Sequence, residues 1–526
     1  MPRRRTTRNI GSQEPEAKNQ KSRPVLLLCV LCAVLCVLSS RAAEFTIQGV
    51  NRAEFWAFQE NWATQIEDKL DLVLRYGDLR GQLGLFLYDP SRPWDAVRKP
   101  LRLADFTAAY SPRQLEILYG KFFQTFGKGL TLRAYNDEEF RHYKSLHGLR
   151  GSFQLPVSTE LVAFGARLRD VFFQENAYKI MNAADTSDQV LGADLSSQPI
   201  VWQGSDWTRG NFGFGGRYVR INRSADPTAK AFTELFGGNT STAVGPVELY
   251  GEACWRLGTR PGIGGRDRGF GYYGSATLLL AGYSIIGQIM DYDKLGFPTG
   301  VYHYNDPPTP ILSGVALDRG IDERGFGLTV NGSPLTQLYF EGNYGRLFRH
   351  DDSSAGVLEW QGKARYSFGS DWTFEGSFDH MLQKNVELGT YERTVDKPVA
   401  HVNYLWGQHT FGLEAEYAFV RERPSDTTQA AGPYPWKYHE SAIALSYGHS
   451  EALQFTLGWQ RVDKKLAKRY NDETSWPILE AVWNVTQRNM LRIRLGAERG
   501  GYTCSGGVCR FEAPFRGLKV QFISRF

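Results

Sequence analysis

The sequence predicts an all-β fold, a transmembrane antiparallel up-and-down β-barrel of about 24 strands within a range of about 20–26. Three observations carry this. Side chains alternate between apolar and polar over many stretches of strand length, which puts the two kinds on opposite faces of a sheet. The apolar members are rich in aromatics and glycine, with 55 Gly, 32 Phe, 26 Tyr and 13 Trp in 526 residues against 5 Met. The connections between these stretches are short and long by turns, as the two ends of a membrane barrel require. A mean hydropathy of −0.38 excludes a bundle of membrane helices, each of which needs about 20 consecutive apolar residues.

In chain order the first element is a leader. Residues 25–38 are an apolar run, preceded by basic residues and followed by Ser39, Ser40, Arg41, Ala42 and Ala43, the plan of a secretory signal peptide cleaved after Ala42. The run is shorter than the ~20 residues of a membrane anchor. Cys29, Cys32 and Cys36 lie within it, and the large residues before Cys32 and Cys36 argue against a lipoprotein site. The expected organisation is a signal peptide over 1–42 and a single barrel domain over 43–526, with strands beginning too soon after the leader for a separate plug domain. The leader also holds the charge excess. Eight basic against two acidic residues there exceed the whole chain's +5 and leave the rest at −1. A nucleic-acid partner is therefore not expected.

The clearest hairpin spans 358–380. Leu358, Trp360, Gly362, Ala364 and Tyr366 alternate with Glu359, Gln361, Lys363, Arg365 and Ser367; after Gly369 and Ser370 the pattern resumes, with Trp372, Phe374, Gly376 and Phe378 against Thr373, Glu375, Ser377 and Asp379. The same alternation marks 69–76, 247–255, 337–344, 411–419, 453–460 and 491–498. Residues 80–89 and 157–169 fit it loosely, and hairpins between 189 and 246 are less certain. Short turns are expected near 77–80, 111–114, 155–158, 281–283, 332–335, 368–371, 406–409, 448–452 and 485–489. Long polar loops are expected near 53–66, 90–100, 125–144, 171–188, 258–269, 293–320, 382–394, 422–436, 464–474 and 499–516.

The polar faces supply the candidate functional residues. Glu341, Glu359, Lys363, Arg365, Glu375, Asp379, Glu414, Glu416, Arg492 and Arg494 are expected to line the lumen. Such charges either screen solutes or satisfy a polar wall by cross-strand pairing, and one residue can do both. Arg492 and Arg494 with Lys519 and Arg525 would form a basic strip, and Glu414 and Glu416 an acidic one, setting up a transverse field if register brings them face to face. Trp360, Tyr366, Trp372, Trp459 and Trp483 belong to interfacial girdles. Cys504 and Cys509 flank a four-residue segment of the last long connection and are expected to form a disulfide at the outer tip. Cys254 is left as a small lumen-facing residue. The glycine runs at 213–216 and 262–265 lack the βαβ setting of a dinucleotide site, and no Gly-x-Ser-x-Gly or His-Glu-x-x-His motif occurs. No cofactor, metal or enzymatic activity is expected.

Two segments carry a family resemblance. Residues 518–526, with apolar residues at alternate positions and aromatic Phe522 and Phe526, resemble the C-terminal signal strand of bacterial outer-membrane barrels; Ser524 departs from the pattern. That resemblance implies recognition by the barrel-assembly machinery and closure of the last strand on the first. Residues 118–130, followed by Arg133, Ala134 and Tyr135, resemble a segment of large, functionally uncharacterised outer-membrane proteins of Bacteroidetes and related phyla, and imply no chemistry. The expected setting is the bacterial outer membrane, with its lipid and lipopolysaccharide as partners. The expected role is a porin-like passage for small hydrophilic solutes. A surface adhesin or anchoring barrel is the alternative, and an outer-membrane enzyme the third reading. The 293–320 connection, stiffened by Pro307, Pro308 and Pro310, is expected either to fold inward as a constriction or to pack outside.

Overall fold

The computed structural model describes residues 45–59, 64–90, 101–137, 142–156, 158–174, 179–182, 188–197, 199–205, 207–222, 232–259, 265–296, 304–311, 322–350, 352–385, 390–424, 436–463, 473–505, 508–512 and 514–526. The leader and its cleavage site lie outside them. Twenty-four strands, each antiparallel to its neighbours in the chain, make one closed sheet. The first, Phe45–Phe58, pairs with Thr64–Tyr76 on one side and with the last, Phe515–Arg525, on the other. Closure removes the unpaired edge that lipid cannot satisfy. At the seam Ala53 faces Phe522, and the backbones of Gly49 and Phe526 exchange two hydrogen bonds of 2.8 and 3.0 Å.

One end of the barrel carries tight turns in which Gly77, Gly245, Gly369 and Gly407 take φ of 55–64°, the twist that antiparallel hairpins favour. The turn expected at 332–335 lies further on, at 336–337. The strand Glu323–Leu335 runs through the expected site with a register shift between Gly332 and Leu335. The other end carries the long connections.

The outer face is apolar. Trp360, Tyr366, Trp372, Trp459 and Trp483 all point away from the lumen and are exposed, as the interfacial aromatics of a membrane barrel are. The loosely patterned stretches are strands too. In Leu79–Pro90 the phase is unbroken, but the inward Phe86 is itself apolar and buried, on the face opposite the outward Leu83, Leu85 and Leu87. In Thr159–Gln174 the inward residues Val162, Phe164, Ala166 and Leu168 are themselves apolar and buried. The buried apolar core of this barrel thus lies inside its lumen. It gathers Phe126, Leu130, Leu132, Leu146, Leu168, Ile221 and Tyr292 toward the long-loop end.

Candidate functional site: the barrel lumen

Inward and outward residues alternate along the strands except where the register shifts. Tyr344 points out of Leu338–Arg349, so Glu341 and Asn343 point in; Trp360 and Tyr366 point out of Gly356–Phe368, so Glu359, Gln361, Lys363 and Arg365 point in. By the same phase Glu375 and Asp379 on Trp372–Lys384, and Glu414 and Glu416 on His409–Pro424, face the lumen. These side chains join across strands. Thr329 donates to Asn343 (2.7 Å), Asn343 to Glu341 (2.8 Å) and Gln361 (3.3 Å), and Gln361 to Asp379 (2.6 Å). Lys397 continues the chain to Asp379 (3.8 Å) and Glu416 (3.7 Å), while Lys363 and Arg365 both hold Glu375 at 2.7 Å.

The expected transverse field does not arise. Register sets Glu480 opposite Arg494 and Arg494 opposite Lys519. Arg494 donates to Glu480 (2.7 Å) and to Glu498, and Lys519 also holds Glu498. Arg492 lies 4.0 Å from Glu480. The supposed basic strip is interleaved with acid and locally neutral. On the acidic side Glu416 is matched by Lys397, and Glu414 has no ion-pair partner among the described residues.

The lumen has two unlike halves. Along the strands from Gly356–Phe368 to the seam, inner-wall side chains such as Arg365, Arg492 and Glu416 remain open to water, 51%, 41% and 37% exposed, while toward the long-loop end Val420, Tyr438, Val462 and Trp476 form a second, smaller buried cluster on the inner face. Along the strands from His142–Leu155 to Leu338–Arg349, Arg217 and Glu252 are 2% and 0% exposed. Two chain segments cover that second half. The 125–144 connection, expected as an outer loop, turns inward after Leu115–Phe122 as the small hairpin Gln124–Phe126 and Leu132–Ala134. It returns to the wall at Asn136–Asp137, paired with Tyr143 and His142. Its tip rests on a buried ion cluster: Arg217 donates to Glu252 (2.9 Å) and lies 3.3 Å from Asp194, and the Lys128 amide donates to Glu252 (2.7 Å).

Residues 304–311, within the 293–320 connection, form the second segment, so the inward alternative holds for the part described. Its Pro310 and Ile311 cover the inward-facing Gly327 and Gly345, where a Cβ would lie 2.7–2.9 Å from them. The two segments clasp each other. The Arg133 amide donates to the Tyr304 carbonyl (2.9 Å), the Asn305 side chain to the Leu130 carbonyl (3.0 Å), and Tyr135 to Asp306 (2.9 Å), with Arg133 3.3 Å from Asp306. Glu359, expected on open wall, is instead 7% exposed and lines a small cavity of about 90 Å³ with Thr309, Pro310 and Gln288. Cys254 faces inward within the packed core and is fully buried.

Where the chain leaves the wall, Leu101–Tyr110 and Leu115–Phe122 pair only from Thr107 to Tyr110. Beside that thin seam lies a cavity of about 420 Å³ lined by Lys69, Asp71, Asp105, Thr107, Lys121 and Arg150. Its charges are paired, Lys121 with Asp105 (2.8 Å) and Lys69 with Asp71 (3.1 Å). Lys69 and Asp71 belong to the alternation at 69–76; Asp105 and Thr107 escaped sequence patterning because the register shift at Ala104 breaks the alternation of Leu101–Tyr110. In the hairpin Gly501–Ser505 and Val508–Glu512, Cys504 is the register partner of Cys509; their side chains, and hence the expected disulfide, lie outside what is described.

The model of a family of unknown function (DUF6029) matches residues 83–292, which include the internal hairpin and most of the packed half-wall. No curated protein matches the sequence. Among solved structures the chain is similar to the siderophore receptor PirA from Pseudomonas aeruginosa, at 10% identity and a TM-score of 0.44, over 92% of this chain and 81% of that one. It is similar to the P pilus usher (PapC) translocation pore at 8% identity and a TM-score of 0.45, over 92% and 99%. The copper transporter OprC gives 10% identity and a TM-score of 0.42, over 93% and 81%. Likeness this distant leaves the barrel's own geometry to carry the functional reading.

Proposed function

We propose that this chain is an outer-membrane transport barrel that passes small hydrophilic solutes through the unfilled half of its lumen. The observation that supports it is the contrast between the two half-walls: one dry and packed by internal chain segments, the other lined along its middle by charged, cross-paired and part-exposed side chains, with a smaller buried cluster toward the long-loop end. A barrel of this strand number is wide enough to leave an aqueous path unless something fills it, and here the filling is one-sided. The outward aromatic face and an even number of antiparallel strands support the bacterial outer membrane as its setting. In this reading the last strand, with Phe522 outward at the seam and Phe526 joined to Gly49, is what the barrel-assembly machinery engages. The two internal segments act as a fixed restriction on pore size.

Single-channel recording in planar bilayers tests this. The intact protein is expected to give discrete openings. Replacing residues 300–314 by a short Gly-Ser linker, and separately replacing 124–134, should raise the conductance. Openings of unchanged size in both variants would remove the restriction role. Silence in all three forms, with each protein heat-modifiable and inserted, would overturn the passage and favour the anchoring or adhesive barrel.

A further inference from the structure

The outer face of the barrel, above its aromatic band, carries a concentration of cations that solute passage through the lumen does not use. On His409–Pro424, whose outward residues include Tyr417 and Phe419, the next outward positions toward the long-loop end are Arg421 and Arg423, both exposed. On the neighbouring Trp436–His449 the outward residues at that level are Lys437 and His439, and on Leu453–Val462 the outward Arg461 follows Trp459. Register makes Arg421 the direct partner of Lys437, and Arg461 the partner of Ser441, one outward step from His439. Like charges set directly opposite across strands destabilise a sheet. Anions beside such cations offset that cost, as Asp396 does for Arg421.

The carboxylates within reach offset part of the patch. Asp396 takes Arg421 at 3.3 Å but is shared with His380 at 2.6 Å. Glu392, the register partner of Arg423, lies 3.9 Å from Lys384. Arg423 and Arg461 have no ion-pair partner among the described residues. The height is also informative. His439 is stacked on Tyr417 with ring centroids 5.6 Å apart and meets Phe419 edge-on at 5.2 Å, so the patch begins where the aromatic band ends. Strand rise of about 3.3 Å per residue puts its cations within roughly 15 Å of that band, at the depth of headgroups.

We propose that Arg421, Arg423, Lys437 and Arg461 form a discrete site for the phosphates of a phosphorylated glycolipid of the lipid A class, held in the leaflet on the long-loop side. Guanidinium groups suit phosphate oxygens because each presents a planar fork of donors. The acyl chains of such a lipid would lie along the apolar strand surface of Leu413, Ile443, Leu445 and Leu457, all exposed directly below. The site rests on the outer-membrane setting proposed above, but its test does not involve conduction.

The full chain in detergent micelles is titrated with bis-phosphorylated lipid A, with dephosphorylated lipid A and with inorganic phosphate, and bound lipid is counted by native mass spectrometry. The triple variant Arg421→Gln, Arg423→Gln, Arg461→Gln is expected to bind bis-phosphorylated lipid A at least tenfold more weakly than the parent. A variant with Arg266→Gln and Arg268→Gln, two cations on the outer face of a distant strand, should bind it within about twofold of the parent. The dephosphorylated lipid should bind the parent no better than the triple variant, and millimolar phosphate should not displace the lipid. Equal loss in both variants would reduce the effect to unspecific charge and overturn the site. Full displacement by phosphate would make the occupant a free anion and overturn the lipid assignment. Heat-modifiable mobility of each variant separates loss of binding from loss of folding, and membrane fractionation separately tests the outer-membrane setting.

Discussion

A methyl group at Gly127 has nowhere to go. The residue takes φ +58°, and a Cβ there would lie 1.8 Å from Arg217 Nη1 and 2.6–2.7 Å from both Glu252 carboxylate oxygens. Those two side chains are fully buried partners, so neither can swing into water to make room. Gly127→Ala is expected to loosen the internal hairpin by about 1–3 kcal/mol through overpacking, with about 1 kcal/mol more from the left-handed backbone. Cys254 provides the readout. It is fully buried, and its register partner Gly237 lies under Thr131 of the hairpin. Alkylation of Cys254, followed by peptide mass spectrometry in the folded protein, should be roughly thirty- to several-hundredfold faster in the variant, at about 1.4 kcal/mol per decade. An unchanged rate would mean that the hairpin does not guard that thiol. Gly213, Gly215, Gly237, Gly327 and Gly345 are the sequence counterpart of this packing. All face inward; at Gly237, Gly327 and Gly345 the missing side chain is room that Thr131, Pro310 and Ile311 of the internal segments use, while at Gly213 and Gly215 it is room for wall side chains.

The alternating strands could be read directly from the sequence because each has one wet and one lipid face. The direction of a connection could not. Polar, glycine-rich loops look alike whether they stand outside a barrel or fold into a lumen that is itself aqueous. For 123–134 one signal was present: Phe123, Phe126, Leu130 and Leu132 are too apolar for a solvated loop, and the structure buries all but Phe123. The clasp between this hairpin and 304–311 depends on Asp306, which accepts from Tyr135 and pairs with Arg133. Asp306→Ala leaves both donors without that carboxylate and is expected to cost about 1–3 kcal/mol locally. Limited proteolysis should then cut within 304–311 under conditions that leave the parent intact. Resistance equal to that of the parent would mean that packing of Pro310 and Ile311 against the wall holds the segment without the clasp.

At the scale of the whole barrel many inner-wall acids and bases meet across strands. Glu414 is one acid that does not, exposed on the inner wall and opposite His401 rather than a lysine or arginine. An unmatched carboxylate in a water-filled passage biases it toward cations. Glu414→Lys is expected to move the reversal potential under a salt gradient toward that of anions, while Lys363→Gln, which leaves Arg365 on Glu375, should move it less. Equal shifts would mean that summed wall charge decides selectivity and that the unmatched group has no special weight.

The one-sided filling of the lumen also constrains the order in which the molecule can be built. Segments 123–135 and 304–311 lie within the ring that shuts laterally when Phe45–Phe58 meets Phe515–Arg525, and seating them while the sheet is still open spares them a later entry through the long-loop end. The wall that holds them runs without interruption from His142 to Arg349, and a curled sheet of those strands could wrap its contents while both flanks remain apart. The seam joins residues nearly the whole chain apart, the contact with the greatest loop-closure cost. The less filled side would then be completed last, and the charged middle of its inner surface is the part that tolerates standing open to water in the meantime. In pulsed alkylation during assembly, Cys254 is expected to become protected before a cysteine placed at Ser524 does.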